Sequence, residues 1–232
     1  MSTDPDEAGG QPLGRRAFLV LVAGGLTSLA WGHTAMDLAA RSTMLLPEGV
    51  RATVPFGKGW RIYAINPPHP RFDPDTWRLR VDGLVTRPVT LTYADLLALP
   101  QASQTSDFHC VTGWSVDDVR WSGVRFADLL AAAGGLRPGA RALDFVSAEE
   151  PYVDTLTVDQ ALVDDAMLAH SMDGRPLPRK HGAPARVVMP QMYGYKGVKW
   201  VTRIHVSDRV VDGYWEQRGY DRDAWVGDSN GS

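Results

Sequence analysis

Asp107-Phe108-His109-Cys110-Val111-Thr112-Gly113-Trp114-Ser115 is the stretch on which the reading of this chain turns, with Val119-Arg120-Trp121-Ser122-Gly123-Val124 and Phe126-x-Asp128-Leu129-Leu130 following it. Cys110 is the single cysteine among 232 residues. Far upstream lies Gly14-Arg15-Arg16-Ala17-Phe18-Leu19, which matches a twin-arginine export signal. Exported proteins usually pair their cysteines or lose them, and one thiol cannot bridge within its own chain. Cys110 is therefore either inert and buried or chemically employed. The export route tilts the choice, because it serves proteins that fold, and often load a cofactor, before crossing the membrane.

The apolar run from Ala17 to Trp31 is about 15 residues, against roughly 20 needed to span hydrocarbon, so it reads as a signal core. Residues 1–40 are assigned to this leader and 41–232 to one domain. The expected location is the periplasm or the outer face of the cytoplasmic membrane, with anchoring there if the leader is retained. The remaining roughly 190 residues suffice for one domain with a sizeable core. Hydrophobic content of 44% and charged content of 22% are ordinary for a globular protein. A net charge of −3 gives no argument for nucleic acid or an anionic membrane as partner. The 23 glycines and 16 prolines suggest short elements joined by many turns.

Pro67-Pro68-His69-Pro70 is too proline-rich for a helix or a central strand. Residues 77–81 alternate apolar and charged side chains as a half-buried strand does, Asp82-Gly83 reads as a turn, and 89–91 continue the sheet. Thr92-Tyr93-Ala94-Asp95 resembles a capping box opening a short helix that Pro100 limits. Residues 103–110 run extended into the cysteine, and 119–121 read as a short strand closed by a Ser122-Gly123 turn. Phe126, Leu129, Leu130 and Ala133 share one helical face, which Gly134-Gly135 ends. Residues 143–147 and 152–156 read as paired strands, 158–162 as a short helix, and 186–189 and 200–206 as late strands. Strands and short helices mix without a regular βαβ period, so the fold class is α+β with mixed sheets. The chain has neither G-x-G-x-x-G after a strand nor a P-loop.

Three readings of Cys110 stand side by side. A buried cysteine needs nothing further. A nucleophile needs a base; neighbouring His109 would point to the opposite face of a strand, leaving a distant residue such as His181. A metal ligand would be a soft thiolate, and one thiolate alone holds neither zinc nor an iron–sulfur cluster, so the metal would bring its own organic ligand. His69, His170 and His205 show no ligand spacing among themselves.

The segment His109 to Ser115 with 119–124 and 126–130 resembles the molybdopterin-binding domain of the sulfite oxidase family. It is most similar to the branch containing the catalytic subunit of periplasmic methionine sulfoxide reductase. Residues 77–85 resemble the family's strand before the cysteine. Gly182-Ala183-Pro184-Ala185-Arg186-Val187-Val188-Met189-Pro190 and Tyr193-Gly194-Tyr195-Lys196-Gly197-Val198-Lys199-Trp200 resemble its cofactor-phosphate region. The blocks together cover about residues 60–210. The resemblance implies a sulfite-oxidase-type fold and a molybdenum–molybdopterin cofactor with Cys110 as metal ligand. Arg186, Gly197, Val198 and Lys199 would hold the pterin phosphate, and Lys196 adds charge to the same loop. Ser147 falls where a hydroxyl residue contacts the cofactor, His181 where a relative has asparagine, and Tyr63 in an early cofactor-contacting segment.

By the same resemblance Trp114 stands where sulfite-oxidising members carry an arginine that holds the anion. An indole suits a neutral or thioether-like substrate better. The expected function is two-electron chemistry, oxygen-atom transfer above all, on a sulfur-containing or other small molecule, with sulfite disfavoured. The domain is expected to be a monomer without the sulfite oxidases' haem and dimerisation domains, exchanging electrons with a separate partner such as a membrane haem protein. A metal-free cysteine hydrolase and a non-catalytic binding module are the alternatives.

Overall fold

The computed structural model describes residues 57–228 continuously, with 38, 41–47 and 50 before them. Residues 1–40, expected to form a twin-arginine leader, lie outside the described residues but for residue 38.

Two mixed sheets and several short helices make up an α+β fold among the described residues. In the first sheet β1 (Gly57–Lys58), β5 (Trp114–Arg125), β8 (Met167–Met172) and β10 (Arg186–Val188) follow one another. There β4 (Ala102–His109) pairs with β5, and β9 (Arg175–Pro176) with β8. The second sheet runs β3 (Val89–Leu91), β2 (Leu79–Gly83), β11 (Val201–Ser207), β6 (Ala142–Ser147) and β7 (Val153–Thr157), with β2 and β11 parallel. The helices are α1 (Tyr93–Ala98), α2 (Phe126–Ala132) and α3 (Val158–Ala161).

The capping box at α1 forms as its sequence implies. Thr92 Oγ1 accepts the Asp95 N–H at 3.1 Å, and Asp95 Oδ2 accepts the Thr92 N–H at 2.9 Å. Thr157 and Gln160 make the same reciprocal pair at α3. Gly135, with φ +85°, returns its N–H to the Leu130 carbonyl at 2.8 Å and ends α2. Phe126 of α2 meets Phe145 of β6 with ring centroids 5.0 Å apart. This contact draws α2 into the main core beside Leu79, Val124, Leu143 and Ile204.

Two turns read from sequence are strand instead. Ser122-Gly123 lies inside β5, which runs 12 residues without reversing. The strand shifts register against β8 at this point, and a Cβ on residue 123 would stand 2.2 Å from the Leu168 carbonyl oxygen. Gly123 is there for close backbone approach at an irregularity, which sequence alone does not separate from a turn. Asp82-Gly83 likewise ends β2 rather than following it, and a Cβ at Gly83 would lie 2.1 Å from the Val206 carbonyl oxygen.

A second, smaller core forms on the first sheet from Val119, Trp121, Met167, Leu177 and Val188, with Trp60 and Phe108 packed against it. This cluster anchors the aromatic wall of the site, between the β4–β5 hairpin tip and the segment entering β11.

Candidate functional site

Cys110 sits at the tip of the β4–β5 hairpin. The Cys110 N–H donates to the Trp114 carbonyl at 2.9 Å, the Gly113 N–H donates back to the Cys110 carbonyl at 3.0 Å, and Gly113 takes φ +90°. The result is a three-residue turn closed by a left-handed glycine, which explains the order Cys-Val-Thr-Gly-Trp. The turn holds Cys110 half-buried in the wall of a cavity of about 490 Å³. Trp114 lines the same cavity from the turn's other side; His109 does not.

Aromatic rings build the wall around the thiol. Trp114 is buried and stacks on Phe108, centroids 5.5 Å apart at 28°. Trp60 meets Phe108 at 4.9 Å and stands edge-on to the buried His181 at 4.7 Å. Gly194 makes room for this wall, since a Cβ there would come within 2.2 Å of the Phe108 ring. A further aromatic rim comes from Tyr152, Tyr214, Trp215 and Tyr220, with Tyr152 and Tyr214 stacked at 5.5 Å.

Arg186, Gly197 and Lys199 also line the cavity. Arg186 is only 4% exposed, and among the described residues no carboxylate pairs with it. Its guanidinium makes only long contacts, to the carbonyls of His181 at 3.3 Å and of Val187 and Gly197 at 3.4 Å, and lies 5.5 Å from the Phe108 ring and 5.4 Å from that of Trp121. Burial lowers its pKa to about 10. A buried guanidinium without an acid is costly unless an anion completes it. Gly197 leaves space for that anion: a Cβ there would stand 3.0 Å from Arg186 Nη2. Lys199, half-buried, donates from Nζ to the Tyr63 carbonyl and has no carboxylate partner among the described residues. Burial first and Arg186 second lower its pKa to about 8, against an opposing pull from Glu149.

The other expected residues divide. His181 and Tyr63 line the cavity, Tyr63 half-exposed. Ser147 and Val198 do not. Ser147 Oγ donates to the Lys199 carbonyl at 2.7 Å and accepts the Glu149 N–H at 2.9 Å, so its hydroxyl fixes the segment carrying Lys199. Val198 is fully buried, and its N–H donates to the Lys196 carbonyl at 3.0 Å. Lys196 departs from the reading of it as a cofactor cation. It is 2% exposed and bonds Asp154 and Glu216, each at 2.6 Å, so its charge is already neutralised. His69 packs against Trp200, His170 bonds Gln101, and His205 bonds Asp82.

Sequence reasoning missed Trp60, Arg61, Glu149 and the rim formed by Tyr214, Trp215 and Tyr220. The one local signal was the aromatic density of 214–220. Glu149 is buried, lines the cavity, and through Oε1 accepts the N–H groups of Ile65 at 2.9 Å and Asn66 at 3.2 Å, which fastens the 60–66 segment over the site. A thiol at one wall, a buried guanidinium without an acid and a half-buried lysine elsewhere fit a thiolate-ligated metal whose organic ligand ends in a phosphate.

The family model described as oxidoreductase molybdopterin binding domain matches residues 66–215. The uncharacterized oxidoreductase YuiH of Bacillus subtilis (strain 168) is 37% identical over 148 residues, 64% of this chain and 74% of its own. The putative protein-methionine-sulfoxide reductase subunit YedZ1 of Azospira oryzae (strain ATCC BAA-33 / DSM 13638 / PS) is 36% identical over 157 residues, 68% of this chain and 58% of its own. Mitochondrial sulfite oxidase of Drosophila melanogaster is 32% identical over 178 residues, 66% of this chain but 31% of its own. Among solved structures, the sulfane dehydrogenase SoxCD from Paracoccus pantotrophus superposes with a TM-score of 0.59 at 27% identity, covering 67% of this chain and 43% of that one.

Proposed function

This chain belongs to the oxidoreductase molybdopterin-binding domain family, and from that premise we propose that it is an exported enzyme transferring an oxygen atom to or from a small, uncharged sulfur compound. The observation that carries this reading is a buried, acid-free Arg186 sharing one cavity with the chain's sole thiol. Cys110 would hold the metal, while Arg186 and Lys199 would hold the pterin phosphate against Gly197. When bound, the cofactor supplies a centre that exchanges one oxygen atom and two electrons. The aromatic wall excludes water and places an apolar face opposite the thiol, and Glu149 holds the covering segment in place. Three of the four relatives named above carry sulfur compounds in their names, namely methionine sulfoxide, sulfite and sulfane, which supports a sulfur-containing substrate. Export rests on the Arg15-Arg16 motif, and a separate haem protein is the proposed electron partner.

One observation favours a second reading. The Arg61 guanidinium lies 5.5 Å from the Trp114 ring centroid and lines the cavity, so an anion such as sulfite could find a cation there. Arg61 Nη1 already donates to the Gly59 carbonyl at 3.2 Å, which draws it toward its own segment. Turnover of a neutral sulfoxide with an artificial reductant, set against sulfite oxidation with an artificial acceptor, decides the matter. The proposal expects the sulfoxide to be the better substrate; sulfite oxidation at a higher kcat/KM sinks it.

Lys199→Ala is expected to reduce molybdenum content by about 10-fold or more while leaving relative substrate preference in the loaded fraction unchanged. Metal content equal to the parent's would remove Lys199 from the phosphate site.

A further inference from the structure

We propose that Thr112 is a positioning residue that sets the reduction potential of the metal centre by donating a hydrogen bond to the Cys110 sulfur. The inference rests on the reading of Cys110 as metal ligand. Cys110 Sγ and Thr112 Oγ1 are 3.2 Å apart, and both residues line the cavity. A thiol could donate or accept in this contact. A metal-bound thiolate carries no proton, so the hydroxyl must then be the donor. The backbone builds the contact in. The Gly113 N–H bond to the Cys110 carbonyl and the left-handed Gly113 close the turn so that the side chains two residues apart meet across it. No other side-chain hydrogen bond reaches the sulfur among the described residues.

A hydrogen bond to a ligating sulfur draws electron density from it and weakens its donation to the metal. The more reduced state is then favoured, and the potential rises. Deleting the hydroxyl while keeping the β-branched shape should therefore lower the potential. Serine, which keeps the donor and loses only a methyl group, should restore it.

The test is a potentiometric titration of the metal centre, followed by electron paramagnetic resonance. It compares the parent, Thr112→Val and Thr112→Ser, purified from a host that makes the pterin cofactor, with metal content measured on each. The expected result is parental metal content in all three, a lower potential in Thr112→Val, and a near-parental one in Thr112→Ser. Equal potentials in parent and Thr112→Val overturn the inference, as does a Thr112→Ser shift as large as the Val shift. Metal lost from Thr112→Val alone overturns it too, by making Thr112 a support for loading. Failure of the underlying reading looks different: the parent itself carries no metal, or Cys110→Ser gives the parental resonance signal.

Discussion

Cys110→Ser is expected to reduce turnover by more than about 100-fold with little change in thermal stability. Partners that merely orient a metal ligand are typically worth about 10–100-fold, so loss of the ligating thiolate exceeds that range. The fold should tolerate the change. Cys110 is half-buried, its side chain bonds only Thr112 among the described residues, and the turn around it is held by backbone hydrogen bonds that serine leaves intact. Substitutions of this kind usually stay within about 0.5 kcal/mol. The measurements are turnover with an artificial electron donor and a melting curve on the same preparation. Parental turnover in the variant contradicts the ligand role. A metal-free parent whose hydrolytic activity disappears on thiol alkylation would point to a cysteine hydrolase.

Lys196→Met is expected to destabilise the fold by about 3–5 kcal/mol, the range for a buried charge group stripped of its partner. Lys196 ends the short 3-10 turn Gly194–Lys196, Asp154 lies on β7, and Glu216 opens the turn Glu216–Arg218. All three side chains are 1–2% exposed, and the second oxygens, Asp154 Oδ2 and Glu216 Oε2, have no hydrogen-bond partner among the described residues. Two acids share one base, so burial raises the Asp154 carboxyl from 3.8 to about 7, with Glu216 adding to the rise and Lys196 opposing it. The native state then keeps a proton that the unfolded chain releases between those values. The contribution of Asp154 to stability is full below about pH 4, declines as pH rises toward 7, and levels off above that. Without Lys196 nothing offsets the burial of ionised carboxylates, so the variant should lose more at about pH 8 than at about pH 5 in denaturant titrations. A loss below about 1 kcal/mol, or the same loss at both pH values, would show that the triad does not clamp the loop.

This clamp also shows where sequence reading stopped. Lys196 and Lys199 lie three residues apart in one glycine-bearing loop, and by type and spacing they are equivalent cations. Only the arrival of Asp154 and Glu216, 42 residues before and 20 after Lys196, separates them. The cavity's aromatic walls escaped notice for the same reason. Trp60 and Tyr214 join Cys110 around one cavity through tertiary structure, and no local period marks them. Ser147 was legible as a polar residue near the site, but whether its hydroxyl faces a ligand or the Lys199 carbonyl depends on backbone placement.

Features with local causes came through. The capping box of α1 and the glycine stop of α2 depend on residues within five positions of one another. Arg186, Gly197 and Lys199 stood in a motif long enough to resemble a family, and they meet at one cavity. β8 went unread because Met167 to Met172 mixes apolar and polar residues without strict alternation: its first half is buried on both faces between β5 and β10. Gly123 and Gly83 were misread because a glycine admitting a neighbouring backbone looks, in sequence, like a glycine making a turn.

The most direct test of the central claim, that the Cys110 and Arg186 cavity holds a molybdenum–pterin cofactor, is the molybdenum content of the purified protein. It is measured by elemental mass spectrometry after expression in a host that makes the pterin. The account expects metal stoichiometric with polypeptide. Well-folded protein from that host without molybdenum would contradict it.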